Sequence, residues 1–253
     1  MPKQRDKEDS FEDDPSDDWV VLSTRPEDES DDPASYWTSD AIDRLLASKG
    51  QARIQHTIAA KTLDHLDEVA PLATRATGAP SQGAGWSGER LVSGLALDVG
   101  CGLGFSSDML LAEGYVVAGV DIIPEMLLRT RDRDLVEPWL VAGRYHPVLA
   151  SATDLPFRPG SFDLAFSVAA LQWLHTTGVK SALARAVANV VSPNGRLGFH
   201  LFPKSKEDAI ELGTMLKDAG FEGGIQIDNV DNPRKRRVFV VMKKVGERKV
   251  PKT

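Results

Sequence analysis

The sequence predicts an α/β fold with a seven-stranded sheet, mostly parallel, that has helices on both faces and an antiparallel hairpin at its end. From Leu95 onward, short apolar runs alternate with amphipathic segments, as they do in right-handed strand–helix–strand crossovers. Only a few residues separate the last two apolar runs, which favours a hairpin. Three glycines directly follow the first run, and sheets of this kind bind ligands at the carboxyl ends of their strands.

Two helices are expected before the sheet. Ser39 is a suitable N-cap for a helix with Ile42 and Leu45 on one face, ending near Gly50. Apolar residues recur at helical spacing over residues 52–67, which predicts a second helix. We expect both helices to pack over the mouth of the ligand site.

The alternation then assigns seven strands and four helices to one domain over residues 36–242. The predicted strands cover residues 95–99, 115–120, 147–150, 163–168, 196–201, 225–229 and 237–242. The predicted helices between them cover residues 106–112, 124–131, 179–191 and 206–219. Residues 70–90 are rich in small residues and proline and lack periodicity, so we expect a flexible loop there.

The first apolar run ends in Asp98 and is followed by Gly100, Gly102 and Gly104. Glycine permits backbone conformations that let the chain approach a ligand closely. Dinucleotide folds space their glycines as Gly-x-Gly-x-x-Gly and seat a pyrophosphate on the helix that follows. The tighter spacing here suits a ligand without phosphate. It resembles the first motif of class I S-adenosylmethionine (SAM) methyltransferases, where the loop passes under the amino-acid end of the cofactor.

Asp121 ends the second predicted strand, about 20 residues beyond the glycines, where α/β folds hold a ribose through its hydroxyls. The alternative is that Asp121 only caps the helix beginning near Pro124. The order of the two motifs favours the ribose interpretation.

Two further stretches complete the predicted site. Residues 151–154 (Ser-Ala-Thr-Asp) follow the third strand, where related folds usually offer an acid to the adenine amino group. Ser151 stands in that place here, so Asp154 or a backbone carbonyl is the substitute. The fourth strand carries Ser167 and runs towards Gln172 and Trp173, and residues just past this strand face the transferred methyl group in such folds.

A more specific resemblance rests on five stretches of the chain. These are LDVGCGLGFSSDML, GVDIIPEML, AALQWL, HLFPKSKEDAIELGTMLKDAGFEGGIQIDNV and RKRRVFVVM. Together with Ile54-Gln55 upstream, they resemble the eukaryotic small-subunit ribosomal RNA guanine-N7 methyltransferases of ribosome biogenesis, over roughly residues 37–242. The family's usual insertion after Gln-Trp-Leu and most of its long basic extension are missing. The resemblance therefore specifies the reaction more closely than the RNA target.

The resemblance implies a Rossmann-like class I methyltransferase fold with SAM as cofactor. The residues assigned to the cofactor are Asp98, Gly100, Cys101, Gly102, Gly104, Asp121, Ile122, Ser151, Ala152, Asp154, Ser167 and Gln55. Those assigned to methyl transfer are Gln172, Trp173 and Ser167. Trp173 either stacks on the target base or is a core residue under the next helix.

The sequence offers no Ser-His-Asp set, paired carboxylate or metal cluster. Guanine N7 has a lone pair in the ring plane, so its methylation requires no prior proton removal. Alignment of the reacting atoms alone can supply on the order of 7 kcal/mol. We therefore interpret His175 and His200 as packed or surface residues, and expect no metal bound by this chain.

The two ends of the chain carry opposite charge. Residues 1–35 hold 13 acidic and 4 basic residues, and this acidic segment is predicted to be disordered. Its apolar run 19–22 is either a linear motif, an added edge strand or a chance cluster. Residues 232–253 hold 9 basic residues and 1 acidic one, including the tail 243–253. Within them, Arg234, Lys235, Arg236 and Arg237 either contact RNA phosphates, form a nuclear address or make a solvated loop.

Cys101 is the only cysteine, which excludes a disulfide framework or a cysteine-based zinc site within the chain. We interpret it as a small buried filler. No apolar run approaches the roughly 18 residues of a membrane span, and the acidic start fits neither a secretory signal nor a transit peptide. We expect an intracellular protein; the resemblance implies nucleus or nucleolus and cytoplasm.

By resemblance we also expect a partner, a small zinc-binding activator subunit that pairs with the edge of the sheet. The third strand should be that edge, with Trp139, Leu140, Val141, Val148 and Leu149 around it. Two alternatives remain open, namely a small-molecule methyltransferase on the same fold and a ribosome-assembly factor that no longer catalyses.

Overall fold

The computed structural model describes residues 29–30, 32–71, 94–133, 136–232 and 235–246. Several features predicted from the sequence lie outside these ranges: nearly all of the acidic segment with its apolar run 19–22, most of the 70–90 loop, Arg234 and most of the basic tail.

Eight helices, one 3-10 turn and seven strands make up the described part of the chain. In order they are α1 (Pro33–Tyr36), α2 (Ser39–Ala47), α3 (Lys49–Val69), β1 (Leu95–Val99), α4 (Phe105–Ala112), β2 (Val116–Asp121), α5 (Pro124–Arg131), α6 (Glu137–Val141), β3 (Tyr145–Leu149), β4 (Phe162–Val168), the 3-10 turn (Leu171–Trp173), α7 (Thr177–Val190), β5 (Val191–Leu201), α8 (Lys206–Asp218), β6 (Phe221–Asp228) and β7 (Arg237–Lys244).

The seven strands form one sheet in the order β3-β2-β1-β4-β5-β7-β6. The pairs from β3 to β5 are parallel, whereas β7 lies antiparallel between β5 and β6. The predicted fold class is confirmed, including the terminal hairpin. The third strand is indeed an edge of the sheet, as predicted.

Apolar layers cover both faces of the sheet. On one face, Leu197 and Phe199 of β5 pack with Leu183 and Val187 of α7. On the other face α3 packs so closely that a Cβ on Gly198 would lie 3.1 Å from Cγ2 of Thr62. Among the described residues, no helix is both long and apolar enough to cross a bilayer.

Several predicted boundaries were wrong, each for a local reason. The first cap is Thr38 rather than Ser39, because the Thr38 hydroxyl accepts from the amide of Ala41. That helix ends at Ala47 instead of near Gly50, because Ser48 caps the next one.

Two strands are also longer than predicted. β5 begins at Val191, through a Pro-Asn-Gly sequence that is typical of turns. β6 begins at Phe221 and includes Gly223, where the carbonyl of Val241 would lie 2.3 Å from a Cβ. The glycine pair there permits close pairing with β7 and does not mark a loop.

Candidate cofactor and acceptor site

The glycine loop between β1 and α4 is held in a conformation that suits glycine. Gly100, Gly102 and Gly104 have φ values of 68°, 52° and 77°. A Cβ on Gly100 would lie 2.3 Å from the Cβ of Ala170, beyond β4, whereas no atom lies within 4 Å of a Cβ placed on Gly102. The loop therefore packs tightly at its first glycine and faces open space at its second.

The carboxylate of Asp121 ties this loop to the end of β2. Its Oδ2 accepts a 2.8 Å hydrogen bond from the amide of Gly102, and its Oδ1 accepts one of 2.9 Å from Ile123, just before α5. Asp121 is 9% exposed, and burial raises the pKa of its carboxyl despite these bonds. The bond to Ile123 closes a turn just before α5, whose N-cap is Ile123 with no side-chain cap, so Asp121 does not cap that helix. Each oxygen keeps a further lone pair, and the ribose contact stays a prediction.

Asp98 is fully buried beneath the loop. Its Oδ2 accepts hydrogen bonds from the hydroxyls of Ser106 and Ser107, at 2.7 and 2.6 Å. Its Oδ1 is buried and has no partner among the described residues. Burial raises the pKa of this carboxyl to about 6, against the opposing effect of the two serine bonds. The sequence did not reveal that one oxygen is engaged and the other is not.

The C-terminal end of α5 holds the carbonyls of the glycine loop, which sequence reasoning missed. The Arg133 guanidinium donates to the carbonyl of Leu103 at 2.7 Å, pairs with Asp108 and lies 4.6 Å from the ring centre of Phe105. The Thr130 hydroxyl is 3.0 Å from the carbonyl of Gly102. Neither residue belongs to a motif, so only their contacts reveal them.

The turn after β3 bonds mainly to itself. The Ser151 hydroxyl lies 2.9 Å from that of Thr153, and residues Ser151 and Asp154 form an isolated bridge. Asp154 is exposed and Ala152 is half-buried. After β2, the side chain of Ile122 is 56% exposed. A role in cofactor binding for Ile122, Ser151, Ala152 and Asp154 stays a prediction.

Ser167 and Gln172 lie at and beyond the end of β4. The buried hydroxyl of Ser167 donates to the carbonyl of Val99 at 2.7 Å and so joins β4 to β1. Gln172 Nε2 donates to the carbonyl of Ala169 at 2.8 Å, while its Oε1 is buried without a described partner. A catalytic role for either residue stays a prediction.

Aromatic side chains of the N-terminal segment lie close to Trp173, just past β4. The ring of Trp173 lies 5.9 Å from that of Tyr36 and 6.5 Å from that of Trp37, centre to centre. Beneath them, Ile42 of α2 belongs to the same buried cluster as Leu103 of the glycine loop. Of the two predicted helices, α2 packs against the glycine loop, whereas α3 packs mainly on a face of the sheet.

Three other predicted residues are located as follows. Gln55 is half-buried on α3. Cys101 is buried, 3.8 Å from the Tyr145 hydroxyl, and burial raises the pKa of its thiol well above the usual value, which fits a filler and not a nucleophile. His200 is fully buried between Phe202 and Phe239, and burial lowers its pKa to about 3. It is a packed, neutral histidine, as interpreted.

The basic run lies at the hairpin between β6 and β7. β7 runs antiparallel to β5. Its first residue, Arg237, therefore lies at the end of the sheet where β1 and β4 have their carboxyl ends. Lys235 is exposed, but Arg236 donates to the carbonyl of Val230 at 2.9 Å and so braces the hairpin itself. Within the described ranges, no cluster of residues fit to hold a metal ion is found.

Comparison with known proteins defines the class. A family model described as a methyltransferase domain matches residues 97–199, from β1 into β5. Magnesium protoporphyrin IX methyltransferase from Synechocystis, solved with bound SAM, covers 89% of this chain and 100% of its own, with a TM-score of 0.60 at 16% identity. Residues 97–199 thus match a methyltransferase domain, and the sheet has the fold of class I methyltransferases.

Among curated proteins the chain is similar to the 18S rRNA (guanine-N(7))-methyltransferase of Mus musculus, with 32% identity over 58% of this chain and 52% of the relative. It is similar also to the 18S rRNA (guanine(1575)-N(7))-methyltransferase of Saccharomyces cerevisiae, with 32% identity over 54% of this chain and 50% of the relative. The chain spans about half the length of these relatives. The resemblance predicted from the five sequence stretches is confirmed.

Proposed function

We propose that the protein is a SAM-dependent methyltransferase that modifies guanine N7 of small-subunit ribosomal RNA during ribosome biogenesis. The single observation that carries the cofactor assignment is the unpartnered Oδ1 of buried Asp98. A buried carboxylate oxygen without a donor is costly, and the ammonium of a methionine moiety would supply both donor and charge. The open space at Gly102 also fits a ligand passing over bare main chain.

When bound, SAM supplies a methyl group activated by a sulfonium. The chain's own residues would bind the cofactor and orient the acceptor. Asp121 and the main chain of the glycine loop hold the nucleoside, and Asp98 the amino-acid end. Residues beyond β4 align the acceptor nitrogen. Since N7 attacks through a lone pair, this chemistry requires no general base.

An RNA acceptor is supported by the hairpin between β6 and β7. Its basic residues are exposed Lys235 and the neighbouring Arg237. They lie at the same end of the sheet as the glycine loop. Lysine and arginine at this edge would hold the phosphates of a strand whose base enters the site. A role in ribosome biogenesis implies nucleus or nucleolus and cytoplasm.

The partner we propose is a small zinc-binding activator subunit that pairs with β3. Leu149 on this edge strand is 58% exposed, and Val141 on the preceding α6 is 83% exposed. An exposed apolar edge strand favours pairing with another chain. The zinc would belong to the partner.

Methyl transfer to purified small ribosomal subunits, compared with a panel of small acceptors, tests the proposal. We expect transfer to the subunits, with the label recovered as N7-methylguanosine. Transfer only to a small acceptor would favour the small-molecule alternative. An intact complex with the activator that binds no SAM would favour the assembly factor, for which Ser151 in place of an acid is the supporting residue.

A further inference from the structure

A cleft opens at the carboxyl ends of β4 and β5, separate from the glycine loop. Gln172 and His175 line it together with Lys180, Leu201, Lys204 and Asp208. In the sheet, β4 lies between β5 and β1, and β1 leads into the glycine loop. The cleft therefore adjoins the proposed cofactor site on the side away from Asp121.

Two side chains of this cleft carry buried polar atoms that lack a partner in the part of the chain that the structure describes. They are Oε1 of Gln172 and both ring nitrogens of His175. The other amide atom of Gln172 is engaged, since Nε2 donates to the carbonyl of Ala169 at 2.8 Å. That bond fixes the orientation of the amide, and the acceptor oxygen Oε1 is left without a donor among the described residues. Buried polar groups are normally paired, so three such atoms at one cleft point to a ligand.

The charges of Lys180 and Asp208 in the cleft compensate each other, and Lys204 is exposed. The ammonium of Lys180 pairs with Asp208, and it also lies 2.8 Å from Glu211. Asp208 accepts in addition from the backbone amide of Lys204 at 3.0 Å. What remains for a ligand is an amide acceptor and an imidazole with one donor and one acceptor. This set matches a neutral, planar heterocycle better than an anion.

Guanine is the base whose Watson–Crick edge fits that set. It presents two donors, N1–H and N2–H, next to the acceptor O6, whereas adenine offers one donor beside an acceptor nitrogen. We propose that this cleft receives the Watson–Crick edge of the acceptor guanine. Gln172 Oε1 accepts from the N2 amino group of that edge, and a ring N–H of His175 donates to O6. This proposal rests on the proposed function and specifies where the acceptor base binds.

Guanine held in this way leaves N7 free for the reaction, because N7 lies on the adjacent Hoogsteen edge beside O6. The N7 lone pair forms the bond to the methyl carbon and the carbon–sulfur bond breaks. Its electron pair stays on sulfur, and the positive charge passes from the sulfonium to the guanine ring. No proton is moved, so Gln172 and His175 act as specificity residues and not as acid or base.

The test uses the full-length protein and two short single-stranded RNAs that differ at one position, guanine or inosine, which lacks the N2 amino group. We expect the guanine RNA to bind about five-fold more tightly, the worth of one neutral hydrogen bond. Gln172→Met should reduce that ratio to about one. His175→Phe should weaken both RNAs and keep the ratio, because both bases carry O6. Gln226→Met, away from the cleft on β6, is the matched control for Gln172→Met.

A wild-type ratio of one, or a ratio that Gln172→Met leaves unchanged, overturns the proposal. Methyl transfer to small ribosomal subunits separates this failure from that of the proposed function. If transfer occurs and both cleft variants keep wild-type kcat/KM and discrimination, the cleft assignment is wrong and the function stands. If no transfer occurs but discrimination depends on Gln172, the function is wrong and the cleft assignment stands.

Discussion

The guanidinium of Arg133, just beyond α5, donates a 2.7 Å hydrogen bond to the carbonyl of Leu103 in the glycine loop. Arg133 also pairs with Asp108 of α4, whose carboxylate lies 3.0 Å from His56 Nε2 on α3. The conformation of the loop thus depends on three helices as well as on its glycines.

Arg133→Met should weaken SAM binding by about ten-fold, because the Leu103 carbonyl loses a charge-assisted donor and the loop loosens. Arg129→Met is the control, since Arg129 on α5 pairs only with Asp43 and Glu125 among the described residues. Calorimetric titration of both variants measures the effect. Equal affinities for the two would show that Arg133 does not support the loop.

Replacement of Asp98 by asparagine should separate stability from cofactor binding. The folded-state pKa of Asp98, about 6, lies above its ordinary value of 3.8. The folded protein therefore holds a proton between these values that the unfolded chain has lost, and stability falls as pH rises through this window, by up to about 3 kcal/mol.

Asp98→Asn cannot ionise, so urea unfolding should show the variant gaining stability relative to wild type between pH 4 and pH 7. Its SAM affinity should fall, because the ammonium loses its carboxylate. A variant with the wild-type pH profile would show that Asp98 does not titrate in this window.

Acid should destabilise the protein through His200. Its folded-state pKa, about 3, lies below the ordinary 6.5, so the unfolded chain binds a proton that the folded protein excludes as pH falls below 6.5. At pH 5 this difference costs about 2 kcal/mol. His200→Leu should lose that much less stability than wild type between pH 7.5 and pH 5 in urea unfolding. The exposed His146, changed to Leu, should behave as wild type; a parallel pH response of His200→Leu would contradict the assignment.

The hairpin between β6 and β7 should contribute to RNA binding mainly through Lys235 and Arg237. Replacing both with Gln should lower the salt dependence of RNA binding by about 0.7 per lost phosphate contact on a single strand, and leave SAM affinity unchanged. Arg185→Gln, on α7, is the control. An unchanged slope of log K against log salt would assign the run to a nuclear address or a solvated loop.

The sequence predicted the sheet, its edge strand and the glycine loop correctly, because apolar periodicity and glycine spacing are local signals. It missed α6, which has only five residues, and the hold of Arg133 on the loop, which links residues 30 positions apart. It also placed Gln172 by resemblance alone. That Oε1 of Gln172 is left without a partner follows from the packing of the turn after β4, which no local pattern encodes.

The most direct test of the cofactor site is calorimetric titration of Asp121→Ala with SAM, beside Asp132→Ala, an exposed acid at the end of α5. The account predicts that wild type and Asp132→Ala bind SAM alike, and that Asp121→Ala binds it more weakly by roughly 1–3 kcal/mol, the penalty for ribose hydroxyls left without their charged partner. Undiminished affinity in Asp121→Ala would contradict the placement of the nucleoside across the ends of β1 and β2.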